Sequence, residues 1–254
     1  MNPRYMVNAA LWRLGIGLRI DLAPPDPPAE VRERLARELR LARAQSGEFT
    51  LIEQLQDDSH PHPMRSIDLE CAFATEQLLR LRPGVVLDVG SYRLWLIGLM
   101  AHFRVITVDV RSRESHLSNE TMVTADARHL DLPPESVDAV TTLCSIEHFG
   151  LGRYGDPFDL QADRKAVAAL VRTIRPGGHF IFSVPVTAGA ACLAFNAHRI
   201  YTLPLIQRLT AGLHCREERF IKSTPARYCE VGELPTTVGQ FDVYCGCYQK
   251  PGPA

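Results

Sequence analysis

From residue 83 onward, short apolar runs alternate with stretches whose apolar residues recur every three or four positions, the pattern of a parallel sheet with crossover helices. The runs predict strands over Val85–Val89, Val105–Val108, Thr121–Thr124, Val137–Leu143 and His179–Val184. Between them, helices are expected over Leu94–His102, briefly near Asp131, and over Asp159–Ile174. A helix from Arg199 to about Leu209 precedes Cys215–Ser223 and Phe241–Tyr248, two runs spaced closely enough to predict an antiparallel closing pair. The expected fold class is α/β, a doubly wound, mostly parallel sheet of seven strands over residues 83–250.

Upstream, an apolar stretch from Val7 to Leu18 leads into Ala23-Pro24-Pro25-Asp26-Pro27-Pro28, which cannot continue a helix and reads as a linker or elbow. From Ala29 to Ser46, Val31, Leu35, Leu39 and Ala42 recur at helical spacing among Arg and Glu, predicting an amphipathic helix that ends near Gly47 and packs on a later part of the chain. Asp57-Asp58-Ser59-His60-Pro61-His62-Pro63 holds four candidate metal ligands, but prolines interrupt it, so it reads as a solvated loop rather than a metal site. A helix follows from Ser66 to Leu81, stopped by Arg82-Pro83-Gly84. Residues 1–82 are thus expected to form a helical extension, a cap over the crevice of the sheet.

Composition narrows the partners. With 254 residues, 46% hydrophobic and 22% charged, the chain can bury a substantial core, and a formal charge of −1 supplies no global field to gather nucleic acid or an anionic membrane. A small-molecule acceptor fits better, and the reading leaves room for a homodimer. The seven cysteines are scattered, and no secretory signal is visible at the N-terminus, so a reducing cytoplasm is expected. Apolar runs reach only about ten residues, too short for a helix to span ~30 Å of hydrocarbon.

Ligands of open α/β sheets bind beyond the carboxyl ends of the strands, so the residues just after each strand matter most. Asp88 closes the first strand in Leu87-Asp88-Val89-Gly90-Ser91, Asp109 closes the second, and Asp126 follows the third in Ala125-Asp126-Ala127. An ionised carboxylate is an acceptor suited to paired hydroxyls, amines and ammonium; taken singly, each acid reads equally well as a helix N-cap. Leu-Asp-Val-Gly, an acid 21 residues later, Ala-Asp-Ala, and Arg175-Pro176-Gly177-Gly178 together resemble the class I S-adenosylmethionine-dependent methyltransferases, from about Val85 to Tyr248. The resemblance implies a Rossmann-like methyltransferase fold with S-adenosyl-L-methionine as cofactor. It further implies that Gly90 lets the backbone approach the methionine moiety, that Asp88 favours its cationic amino end, that Asp109 chelates the ribose hydroxyls and that Asp126 reads the adenine amino group. Ser91, Ala127 and Cys144 complete the cofactor-facing set. The loop Gly90-Ser91-Tyr92-Arg93 departs from the family's repeated glycines, and Tyr92 is expected to narrow the pocket. It also lacks the G-x-G-x-x-G that a dinucleotide's pyrophosphate would need. Gly177 and Gly178 read as turn residues before the fifth strand.

The fourth strand leads into Cys144-Ser145-Ile146-Glu147-His148-Phe149-Gly150-Leu151-Gly152-Arg153-Tyr154-Gly155-Asp156. Methyl transfer requires placement and, for a hydroxyl or amine acceptor, removal of a proton. His148 is the natural base and Glu147 its orienting or proton-accepting neighbour, each also readable as a structural tie. Glu147, His148 and Asp156 can alternatively be read as a divalent-cation site, although nothing in their spacing demands one. Arg153, Tyr154, Asp156, Asn196, His198 and Arg199 form the acceptor-facing set, with Arg199 clamping a carboxylate or pairing with Asp156. The loop, taken with Phe195-Asn196-Ala197-His198-Arg199-Ile200-Tyr201, resembles a little-characterised methyltransferase-like subgroup sometimes found with glycan or natural-product genes. Cys144 reads as a small core residue rather than a nucleophile, and Cys245-Gly246-Cys247 as strand packing. The leading expectation is methyl transfer to oxygen or nitrogen of a polar small molecule. A methyltransferase-like binding module without activity and a nicotinamide oxidoreductase are the competing readings.

Overall fold

The computed structural model describes residues 29–45 and 64–252; the expectations for the Val7–Leu18 stretch, the proline elbow and the Asp57–Pro63 loop lie outside the described residues. The chain divides into two compact units, Met1–His62 and Pro63–Ala254. In the first unit, α1 runs Ala29–Gln45, with Glu30 in its first turn and Arg43 in its last complementing the helix dipole. None of its residues is buried.

The second unit is built on strands β1 (Val85–Val89), β2 (Arg104–Asp109), β3 (Glu120–Thr124), β4 (Val137–Leu143), β5 (Ile174–Val186), β6 (Cys192–Ala194), β7 (His198–Ile200), β8 (His214–Ser223), β9 (Ala226–Cys229) and β10 (Asp242–Gln249). Its helices are α2 (Ser66–Leu81), α3 (Arg93–Leu99), α4 (Ala162–Thr173) and α5 (Leu203–Leu209). The main sheet has the order β3-β2-β1-β4-β5-β10-β8-β9. Strands β1 to β5 are parallel, and β10 enters antiparallel between β5 and β8. The closing pair is therefore antiparallel as expected, but the sheet has eight strands rather than seven, because β9 folds back on β8 as an edge hairpin. Strands β6 and β7 form a separate two-stranded ribbon. Strand β5 starts at Ile174, earlier than His179: Ile174 already pairs with Val137, and the ladder resumes at Ala139↔His179 after a register shift. Gly177, at φ +77°, lies in this irregular stretch.

Alternation along each strand divides the core between the two faces of the sheet. On one face, Phe73, Ala74 and Leu78 of α2 and Leu96 and Leu99 of α3 join a cluster with Val86, Val105, Ala139, Ile181, Val243, Cys245 and Cys247. The helix Ser66–Leu81, grouped with the N-terminal extension on sequence, thus contributes to the core of the sheet unit, which begins at Pro63. On the other face, Ala166, Val167 and Leu170 of α4 and Ile206 and Leu209 of α5 cover Leu87, Val140, Phe180, Phe182 and Tyr244. Gly246 is required here: a Cβ would lie 2.7 Å from the ring of Tyr248 and 2.8 Å from that of Tyr244. Among the described residues, no helix is long and apolar enough to cross a membrane.

Phe182 is fully buried, its ring centroid 4.9 Å from Phe180, 5.7 Å from Tyr244 and 5.8 Å from Tyr248. Phe182→Ala should cost about 3–5 kcal/mol of unfolding free energy in a denaturant titration. A loss below about 1 kcal/mol would contradict this packing.

Candidate functional site

Strand order reverses between β1 and β4, and a cleft opens beyond their carboxyl ends. It holds about 620 Å³ of free space, the open solvent at its mouth included. Val89, Gly90, Val108, Asp109, Ala125, Asp126, Ala127, Cys144, Ser145, His148, Phe149, Gly150, Tyr154 and Asp156 line it, together with Val110, Arg111 and Arg128. Gly90 stands at φ +72°, and a Cβ there would sit 2.2 Å from Ser145 Oγ, so only glycine allows β1 and the end of β4 to approach this closely.

Asp88 and Ser91 are buried behind that glycine and do not line the cleft. Asp88 Oδ2 accepts from Ser91 Oγ at 2.5 Å and Thr141 Oγ1 at 2.7 Å, while Ser91 Oγ accepts from Leu143 N at 3.0 Å. Burial pushes the Asp88 carboxyl up to about 6, against the lowering effect of the Ser91 and Thr141 hydrogen bonds. The pair therefore ties β1 to β4 and leaves no oxygen aimed at a ligand. Tyr92 is 44% exposed and stands outside the lining, so it does not narrow the cleft as expected; its backbone begins α3 and its ring turns to solvent.

Asp109 and Asp126 do reach the cleft, each already held by an arginine two residues on. Arg111 donates to Asp109 from N and Nε at 2.9 Å and from Nη2 at 2.8 Å, with Arg113 Nη2 at 3.6 Å. Burial acts to raise the Asp109 carboxyl, but these hydrogen bonds and charges prevail and hold it below the ordinary carboxylate value. Arg128 donates to Asp126 from N at 2.9 Å and from Nε at 2.9–3.0 Å, which lowers its carboxyl likewise. Both acids are thus ionised acceptors at neutral pH. Sequence reasoning missed the arginines, although the repeated spacing Asp109-Val110-Arg111 and Asp126-Ala127-Arg128 was a signal available to it.

Cys144 turns the chain out of β4 in the left-handed conformation, φ 44°. Burial, with Glu147 and Glu70 nearby, raises its thiol well above the ordinary value, and its Sγ donates to Glu70 Oε2 at 2.9 Å. It lines the cleft as a neutral thiol. His148 follows within a 3₁₀ turn, Ile146–His148. Its Nδ1 lies 2.5 Å from Ala197 O, which can only accept, so Nδ1 carries the hydrogen and Nε2 keeps its lone pair. Burial pushes the imidazole down to about 4, outweighing the Ala197 bond, and it is neutral at pH 7. Glu147, buried and outside the lining, places Oε1 3.5 Å from that Nε2. Its Oε2 has no partner among the described residues, and burial pushes the carboxyl up to about 8. Acid and imidazole therefore stand as a neutral pair.

Asp156 lines the cleft but spends its carboxylate on the loop, accepting from Gly150 N at 2.6 Å and Tyr154 N at 3.2 Å. Asn196, His198 and Arg199 stay off the cleft lining. Asn196, left-handed at φ 55°, donates Nδ2 to Leu151 O at 3.2 Å, and His198 packs edge-on to Phe241. Arg199 neither faces an acceptor nor pairs with Asp156. It is buried and donates to four carbonyls, Glu147 O at 3.2 Å, Phe149 O at 2.7 Å, Asp159 O at 3.3 Å and Leu160 O at 3.2 Å, with Asp163 Oδ2 3.6 Å from Nε. A buried guanidinium needs acceptors on every edge, and the bent loop supplies them. Arg153 is exposed beside the cleft-lining rings of His148 and Tyr154. Among the described residues, no cluster of three or more His, Cys, Asp or Glu is arranged to hold a metal.

Residues 101–215 match a family described as a Caenorhabditis protein of unknown function, DUF268. No curated protein matches the chain by sequence. Among solved structures, the chain is similar to the Burkholderia thailandensis 1,6-didemethyltoxoflavin-N1-methyltransferase, solved with 1,6-didemethyltoxoflavin and S-adenosylhomocysteine bound, at 17% identity over 91% of this chain and 93% of that one, TM-score 0.55. It is also similar to the 4+2 cyclase SpnF, at 14% identity over 88% of this chain and 93% of that one, TM-score 0.58. At this level of identity the likeness shows the fold, a Rossmann-like methyltransferase architecture, and the cyclase illustrates that such a fold hosts more than one chemistry.

Glu147 supplies a pH signature. Between its ordinary value of 4.5 and about 8, the folded chain holds a proton that the unfolded chain has released, so the wild type loses stability as pH rises through that window. Glu147→Gln lacks this dependence. In thermal melts from about pH 5 to about pH 8, the variant should therefore gain on the wild type as pH rises. A pH-independent difference would mean that Glu147 is ionised in the folded chain.

Proposed function

We propose that the chain is an S-adenosylmethionine-dependent methyltransferase acting on oxygen or nitrogen of a polar small molecule. The observation that carries this reading is the convergence of Asp109 and Asp126, from the ends of successive parallel strands, on one cleft with apolar walls of Val89, Val108, Ala125 and Phe149. That donor set fits a nucleoside: two ionised acceptors for ribose hydroxyls and an amino group, and flat apolar surface for a base. Asp109 would hold the ribose, Asp126 the adenine amino group, and the glycine-permitted backbone at Gly90 the methionine end. Asp88 supports that backbone from behind instead of meeting the ammonium.

When bound, the cofactor supplies a methyl group already activated on a sulfonium. The chain's own part is to position the acceptor and take its proton. Nε2 of His148 is the acceptor for that proton, since Nδ1–H is committed to Ala197 and the ring is neutral above about pH 4. Glu147, kept protonated by burial, stands beside that same Nε2, its Oε1 3.5 Å away, without charging the ring.

Three variants test the assignments. Asp109→Ala should weaken S-adenosylhomocysteine binding by about 1.5–3 kcal/mol, the scale of a hydrogen bond to a charged group, with the melting transition retained. Asp109→Asn separates loss of charge from loss of shape. Unchanged affinity in both would remove Asp109 from the site. His148→Ala should slow turnover ~10²-fold with cofactor affinity kept, whereas lost cofactor affinity with normal turnover at saturation would move His148 to the binding surface.

A further inference from the structure

Among the described residues, the cations around the cleft are matched, with one exception. Arg111 is bound to Asp109, Arg128 to Asp126 and Asp159, Lys165 to Asp159, and Arg199 to carbonyls and Asp163. Arg153 has no carboxylate within ion-pair reach among the described residues. Its Nη1 lies 3.3 Å from His148 Nδ1, but that nitrogen already donates to Ala197 O and offers Arg153 no lone pair. The guanidinium instead rests 5.4 Å from the centroid of the Tyr154 ring, which is also stacked by Arg111 at 4.9 Å. Stacking orients the plane of a guanidinium while leaving its in-plane N–H fork free.

The surroundings add no counter-charge. His148 and His198 are both held below their ordinary values, burial being the main cause and the Arg153 charge contributing, and the Glu147 carboxyl is protonated at pH 7. The carboxylate of Asp156 on the same loop is engaged by Gly150 N and Tyr154 N. An exposed guanidinium over the Tyr154 ring therefore stands beside the imidazole of the cleft lining, with no carboxylate partner among the described residues.

We propose that Arg153, stacked on Tyr154 beside His148, is an oxyanion subsite that receives a carboxylate or phosphate group of the acceptor. Two parallel N–H donors match either group in a bidentate pair. Anchoring that group at Arg153 holds the acceptor beside the His148 ring, whose Nδ1 lies 3.3 Å from Arg153 Nη1. The assignment of this anion to the acceptor rests on the methyl-transfer reading; the anion site itself does not.

The test is titration of inorganic phosphate and of acetate into the full chain at low ionic strength, for the wild type, Arg153→Gln, Arg153→Lys and the remote exposed control Arg216→Gln. Arg153 is solvent-exposed, so its variants keep the fold, which melting confirms. The expected result is saturable binding by the wild type, at least tenfold weaker in Arg153→Gln, partly restored in Arg153→Lys and unchanged in Arg216→Gln. Preference for phosphate would identify a phosphorylated acceptor, and preference for acetate a carboxylic acid. Absence of saturable binding for both probes, or equal binding by wild type and Arg153→Gln, would overturn the proposal. S-adenosylhomocysteine is titrated in parallel. If Arg153→Gln loses it, the guanidinium serves the cofactor and the proposal falls. If the wild type fails to bind it while phosphate or acetate binding depends on Arg153, the methyl-transfer reading fails and the anion site stands.

Discussion

Beyond the carboxyl ends of β1 and β4 the chain leaves in opposite directions along the sheet, toward β2 on one side and β5 on the other. No strand can fill the gap that this reversal leaves, and the two ends can approach only as far as their side chains permit. Gly90 sets that distance: without a Cβ it lies against Ser145, while Asp88, Ser91 and Thr141 bind the two strands together immediately behind. The cleft is the space left in front. Its polar groups are those that successive parallel strands deliver to one edge, which is why Asp109 and Asp126 converge although 17 residues separate them.

The opposite wall is a loop, and a loop needs its carbonyls satisfied. Arg199 meets four of them from β7, and Asp156 meets two amides of the same loop from within. Those ties hold His148 against Ala197 and fix its tautomer. That wall is accordingly tied down by the buried Arg199 and by Asp156, and it presents the His148 imidazole to the cleft.

Much of this was legible in the residues. Strands β1 and β4 match their expected limits because their apolar runs are bounded by Gly84, Gly90, Ser136 and Cys144, and alternation assigned Cys245 and Cys247 to packing. Strands β6 and β9 were not legible: three and four residues long, they carry too little pattern, and their pairing partners confer their structure. Asp88 read as a ligand because a strand-end acid looks the same whether its oxygens face the cleft or the neighbouring strand; Thr141, 53 residues away, decides it. Arg199 read as a substrate clamp for a similar reason, since its carbonyl partners lie 39 to 52 residues away in a loop whose bend has no periodic signature. Tyr92, expected to narrow the pocket where the family repeats glycine, stays off the lining because the chain makes its close contact at Gly90 and leaves the tyrosine exposed.

The proposed function requires a cleft that takes an adenosyl sulfonium and not a dinucleotide. Its most direct test is calorimetric titration of S-adenosylmethionine and of NAD and NADP, in separate experiments, into the intact protein. Saturable one-to-one binding of S-adenosylmethionine with no heat from either dinucleotide is the predicted result. Dinucleotide binding, or no binding of S-adenosylmethionine at millimolar concentration, would contradict it.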